Sequence, residues 1–176
     1  MKILSNKAQT WKMEFIFAAF VFVIVIAIFF TTINDFSRDN KTLEYIYFEG
    51  QSISEVLISE GSPADWDENN VIRPGILREG RHIDNKKMEL LYSLSENNHS
   101  FLRGAFGVNS YFAVYIKDSD DEIIKFGNNK GVVPPAIAEL NEEGIDFNME
   151  TQHMAKVKRI VLYEGNPAQM VILTWL

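Results

Sequence analysis

Between Phe15 and Phe30 no polar side chain occurs, and Trp11, Met13, Thr31, Thr32 and Ile33 extend the apolar stretch to about the 20 residues a helix needs to cross a bilayer core. A soluble fold hides such a helix only by surrounding it, and the rest of the chain is too small and too polar to do so. A transmembrane helix is therefore expected over 9–33. Lys2, Lys7 and Lys12 precede it, whereas Asn34-Asp35-Phe36-Ser37-Arg38-Asp39 follows with no cationic excess. That asymmetry predicts a single-pass protein with a cytoplasmic N-terminus and an extracytoplasmic C-terminal domain. No small-residue cleavage site follows Phe30, so the helix is expected to remain in the mature protein.

Beyond the helix the chain is acidic. The full sequence has 17 Lys and Arg against 24 Asp and Glu; without Lys2, Lys7, Lys12 and Glu14 the count is 14 against 23, a charge near −9. Such a surface repels nucleic acid, which is set aside as a partner. Cysteine is absent, which excludes disulfides and thiolate chemistry.

The exported part reads as one domain of mixed structure. Phe36, Leu43, Ile46, Gly50, Ile53 and Leu57 recur at heptad-like intervals, with Asp39, Lys41, Glu44, Glu49 and Glu55 elsewhere on the wheel. This predicts an amphipathic continuation of the helix over 34–60, where Gly50 marks a bend or a close crossing with a sheet. Gly61-Ser62-Pro63 should end it, and Trp66 should pin the following loop to the core. A second helix is expected from Asn85 to about Ser95, with Asp84 as N-cap, an Ile83–Met88 staple and Asn97-Asn98 closing it. Two hairpins follow from the alternation of apolar residues: Tyr111–Lys117 with Ile123–Phe126, and Val157–Tyr163 with Ala168–Trp175. A short helix is expected between them, over Ala136–Glu142. The fold class is α+β: a long N-terminal transmembrane and amphipathic helix packed on a small antiparallel sheet of about four strands, with 61–176 as the head.

Chemistry is sparse. His82, His99 and His153 lack metal-ligand spacing and read as surface or turn residues, so no metal site and no cofactor are expected. The run Asp118-Ser119-Asp120-Asp121-Glu122 has no ordered calcium-loop pattern and reads as a solvated turn. Neither a nucleophile motif nor a phosphate-binding glycine loop is present, so no enzyme and no small-molecule substrate are expected. Asn98-His99-Ser100 and Asn40-Lys41-Thr42 match the N-glycosylation pattern, which export would make eligible, with Asn98 favoured as the more exposed position.

Ahead of the apolar run stands Lys7-Ala8-Gln9-Thr10-Trp11-Lys12-Met13-Glu14. A short basic leader, a small residue, Gln, a carboxylate and an unbroken apolar helix together resemble the class III signal peptide of archaeal type IV pilins and pilin-like proteins. The resemblance covers residues 7–35. Gly61-Ser62-Pro63-Ala64-Asp65-Trp66 and Arg159-Ile160-Val161-Leu162-Tyr163-Glu164-Gly165 are similar to archaeal pilin-like proteins in a less diagnostic way.

The resemblance implies that a prepilin peptidase removes residues 1–8 by cutting between Ala8 and Gln9. Glu14 is then sixth in the mature chain, against the fifth that is usual in the family; a cut before Thr10 restores the spacing but places Gln9 where a small residue is normal. It also implies that Glu14 pairs with a neighbouring subunit's α-amino group. Assembly with itself or other pilin subunits would run through Phe15, Phe17, Ala18, Ala19, Phe20 and Phe22. The implied function is a subunit of a type IV pilus or pseudopilus. The alternative from another class is a membrane-anchored extracytoplasmic binding or accessory protein that never polymerises.

Overall fold

A computed structural model describes residues 3–78, 81–134, 138–140, 145–147 and 153–176, with the backbone alone at 3–10, 12, 34–39, 138–139 and 147. Helix α1 spans Ile3–Leu57, and the chain divides inside it into two units, Met1–Thr42 and Leu43–Leu176. In the first unit the only described element is helix, and Met13–Ile33 has a mean hydropathy of 3.0 with none of it buried. One N-terminal helix is thus long and apolar enough to cross a membrane.

The second unit is α+β. After the last turns of α1 come β1 (Leu77–Arg78), β2 (His82–Ile83), α2 (Asn85–Phe106), β3 (Tyr111–Lys117), β4 (Gly131–Val132), β5 (Ala138–Leu140), β6 (Ile145–Phe147), β7 (Met154–Tyr163) and β8 (Asn166–Trp175). Six strands form one sheet in the order β1-β2-β7-β8-β3-β4, and β5-β6 form a separate ribbon. The sheet is larger than the expected four strands, and mixed, because β2 lies parallel to β7 at His82–Leu162. The strands that went unforeseen, β1, β2 and β4, have two residues each, too few for alternation to register.

The long hairpin forms where expected, but with a tighter turn. Tyr163 faces Asn166, so Glu164-Gly165 alone make the loop, both at positive φ (49° and 85°), the conformation that matches the strand twist. The other expected hairpin fails to propagate. Beyond the turn Lys117 meets Ile123 in one bridge, and β3 pairs instead with β8 along its length, Tyr111–Trp175 to Lys117–Gln169, and with β4. The helix expected over Ala136–Glu142 is also corrected: Ala138–Leu140 is a strand paired with Ile145–Phe147, and the remainder of that span lies outside the described residues.

Both faces of the sheet are covered at β3 and β8. Phe112, Val114, Ile116, Met170, Ile172, Val157 and Val161 point to one side, against Ile53 and Leu57 of α1 and Leu91, Leu102 and Phe106 of α2. The alternate residues Ala113, Tyr115, Val171, Leu173 and Trp175 form a second cluster, packed by Leu140 and Ile145 of the ribbon. This explains why β3 and β8 read as near-continuous apolar runs while β7, more exposed on its outer side, alternates.

Helix α2 starts as expected. Asp84 Oδ1 accepts from the N–H groups of Lys86 and Lys87, and Ile83 and Met88 are buried beside it. It ends eleven residues later than expected, at Phe106 rather than Ser95, with Gly107 left-handed at φ 70°. Asn98 does interrupt the helix, at φ −156° and ψ 71°, but its side chain accepts from Phe101 N–H at 3.0 Å and so caps a fresh start.

Candidate membrane-spanning and assembly surface

The surface with the clearest physical demand for a partner is Met13–Ile33, since every residue described in it is solvent-exposed. A continuous apolar surface of this length is unstable in water and stable in lipid or against other helices. Its two hydroxyls are neutralised locally: Thr31 and Thr32 both donate to the carbonyl of Ile28, at 2.8 and 2.9 Å. Those bonds let the apolar span run on past Phe30 without a free donor.

Helical spacing sorts the expected assembly residues. Phe15, Ala18, Ala19 and Phe22 stand at i, i+3, i+4 and i+7 and share one face, with Glu14 at its border one turn before Ala18. Phe17 and Phe20 fall on the opposite side. Phe15, Phe17, Phe20 and Phe22 are all at least 63% exposed, and Glu14 is exposed as well. The side chains of Ala8 and Gln9 lie outside the described residues, with only helical backbone there. Asn40 is exposed on α1.

In the second unit the turns of α1 from Leu43 onward are fixed to the sheet. Ile46, Gly50, Ile53 and Leu57 are buried as the heptad spacing required, while Leu43 is exposed. Gly50 sits where the helix crosses β7 and β8: a Cβ there would come within 3.1 Å of Val157 Cγ2 and 3.2 Å of Thr174 Oγ1. Thr174 Oγ1 donates to the Ile46 carbonyl at 2.8 Å, and Arg159 Nε donates to Ser54 Oγ at 3.0 Å.

Glu49 corrects the sequence reading. It was expected on the polar side of the helix, and it is 8% exposed. Its Oε1 accepts from Asn109 N–H at 2.8 Å and from the Tyr45 hydroxyl at 2.6 Å; its Oε2 accepts from Ser110 N–H at 2.9 Å and from Ser110 Oγ. Burial alone would raise its pKa, but the hydrogen bonds of Ser110, Tyr45 and Asn109 outweigh it and hold the carboxyl below its ordinary value. A signal for this was present: Glu49 stands three residues after Ile46 and four before Ile53, on the same stripe.

His99 is the second correction. Instead of lying at the surface it is half-buried, stacked on Phe112 with ring centres 4.6 Å apart. Ser95 Oγ lies 3.2 Å from the Val133 carbonyl and 3.1 Å from His99 Nδ1, so it links the imidazole to the strand region beyond β4. Nε2 is buried and has no hydrogen-bond partner among the described residues. Burial, and secondarily the charge of Arg103, push the pKa of this imidazole down to about 4. Arg103 itself donates to the Asn109 carbonyl and lies 4.9 Å over the ring of Tyr111.

Trp66 is buried as expected, its Nε1 donating to the Gly75 carbonyl at 2.8 Å. The acidic run is a solvated turn: Asp118 Oδ1 accepts from the N–H groups of Asp120 and Glu122, and Lys117 pairs with Asp121 at 3.0 Å. Among the described residues no group of three His, Asp or Glu side chains is placed to hold a metal ion. An open cavity of about 400 Å³ is lined by Glu60, Trp66, Arg78, Asp84 and Lys87, but Asp84 is committed to capping α2 and Lys87 Nζ to the Glu60 carbonyl at 2.7 Å. No protein-family model, curated protein or solved structure matches the chain.

Proposed function

We propose that this chain is a pilin-like subunit of an archaeal type IV pilus or pseudopilus, anchored and assembled through the apolar part of α1. The observation that carries the reading is the division of α1 into two kinds of surface. Met13–Ile33 is apolar apart from Glu14, Thr31 and Thr32 and buries nothing, whereas Ile46, Gly50, Ile53 and Leu57 of the same helix are packed against the sheet. The turns from Leu43 onward belong to the core of the head, and the apolar stretch earlier on the same helix is suited to lipid first and to other helices later.

In this reading the N-terminus is cytoplasmic, the head is outside, and a prepilin peptidase removes the stub before Gln9 or Thr10. In the assembled state Ala18 and Ala19 allow close approach of neighbouring helices, and Phe15 and Phe22 fill the space beside them. Glu14, costly at the edge of hydrocarbon, is offset by the new α-amino group of an adjacent subunit.

N-terminal sequencing of the protein from its own membranes tests processing. A mature chain beginning at Gln9 or Thr10 supports the reading, and an intact Met1 overturns it in favour of a plain anchored accessory protein. Shearing the cell surface then tests polymerisation: filaments containing the wild-type chain, and their loss in Glu14→Ala with membrane insertion retained, are the expected pair of results.

A further inference from the structure

We propose that Asn98 is N-glycosylated on the exported head, an inference that rests on the outward orientation proposed above. The sequence Asn98-His99-Ser100 supplies the acceptor pattern, and the fold presents it in a form that a transferase can use. The nitrogen of a carboxamide is a weak nucleophile because its lone pair is delocalised into the carbonyl. An enzyme that uses it must grip the asparagine in isolation and reach the hydroxyl two residues on, which a regular helix prevents.

At Asn98 the helix is broken. The residue leaves helical geometry at φ −156° and ψ 71°, in the middle of α2, and is exposed together with Ser100. Between them His99 is turned the other way, stacked on Phe112 and bonded to Ser95. The tripeptide is therefore held by its middle residue while its two recognised residues face solvent. Asn98 Oδ1 is occupied as the cap for Phe101 N–H, whereas Nδ2 donates no hydrogen bond among the described residues. A glycan on Nδ2 leaves Oδ1 free to keep accepting, so modification and the local fold are compatible. Phe101, 40% exposed and three residues on, would gain cover from the attached sugar.

The second pattern lacks these features. Asn40 lies inside α1 with no break in the helix, and Thr42 is half-buried. The structure thus separates two motifs that are equivalent as strings.

The reaction is a group transfer from a lipid-linked, phosphate-activated oligosaccharide. Nδ2 forms the bond to the anomeric carbon, the bond from that carbon to the phosphate oxygen breaks, the lipid phosphate leaves with the electron pair, and the amide gives up one proton.

The test is mass spectrometry of the full chain purified from its own cells, as wild type, Asn98→Gln, Ser100→Ala and Asn40→Gln, with protease treatment of intact cells in parallel. Ser100→Ala leaves the Asn98 cap in place, so a lost glycan in that variant cannot be blamed on misfolding. The expected result is a sugar mass on the Asn98 peptide, lost in Asn98→Gln and Ser100→Ala and kept in Asn40→Gln. A bare Asn98 peptide on a head that protease reaches from outside overturns the glycosylation alone. A bare peptide on a protected head overturns it together with the orientation on which it rests.

Discussion

Glu49 and Ser110, 61 residues apart in sequence, are joined twice: Oε2 of the glutamate accepts from both the backbone N–H and the hydroxyl of the serine. With Asn109 N–H and the Tyr45 hydroxyl on Oε1, one carboxylate fixes α1 to the start of β3. Glu49→Ala leaves the buried donors of Ser110 without an acceptor, while Tyr45 and Asn109 turn to water, and is expected to destabilise the head by about 2 kcal/mol. Glu49→Gln is not expected to rescue it, because the amide places a donor against donors. The folded pKa lies below the ordinary carboxylate value, so the unfolded chain takes up the proton first as pH falls. This contribution is complete above the ordinary value and declines as the pH drops through the folded one, which chemical denaturation at several acid pH values measures.

His99 acts in a higher window. Its pKa of about 4 lies well below that of an unfolded histidine, so stability is complete above about pH 6.5 and falls as the pH drops toward 4. Between pH 7 and pH 5 the loss is about 2 kcal/mol. His99→Phe keeps a ring on Phe112 and cannot titrate; its melting temperature should be flat over that range where the wild type declines.

Two helical glycines should respond in opposite directions. Gly50→Val places methyl groups against Val157 and Thr174 and is expected to cost about 2 kcal/mol by overpacking. Gly104→Ala in α2 meets nothing within 4 Å and is expected to stabilise by about 1 kcal/mol, the difference in helix propensity. Thermal melts of the two variants decide both signs.

Glu164 occupies the first position of a two-residue hairpin loop at φ 49°. Asparagine tolerates that backbone better, so Glu164→Asn is expected to raise stability by about 0.5 kcal/mol, visible as a higher denaturation midpoint with an unchanged slope.

These residues also show what the sequence could carry. Runs rich in aromatic and aliphatic residues located β3 and β8, and alternation located β7, because each is long enough for its pattern to register. They could not say that β3 pairs with β8, since that partnership spans some 60 residues and the polar turn after Lys117 offers a nearer partner. Asn97-Asn98 reads as the end of the helix, whereas α2 only kinks there; that Asn98 caps a second stretch of α2 depends on Phe106 and Leu102 being buried beyond it. The apolar run of α1 was legible in full because composition alone defines it. For Glu49 the spacing carried its burial but not its partners, and for His99 neither, because Ser110 and Phe112 are brought to them by topology.

Strand β8 has paired neighbours on both edges and a covered face on either side. Its middle residues, Met170 to Leu173, have no local route to water, so their amide hydrogens should exchange with deuterium only when the whole head comes apart. They offer a built-in gauge of global opening against which slower or faster exchange elsewhere, at the kink in α2 or in the ribbon, can be read as motion of that part alone.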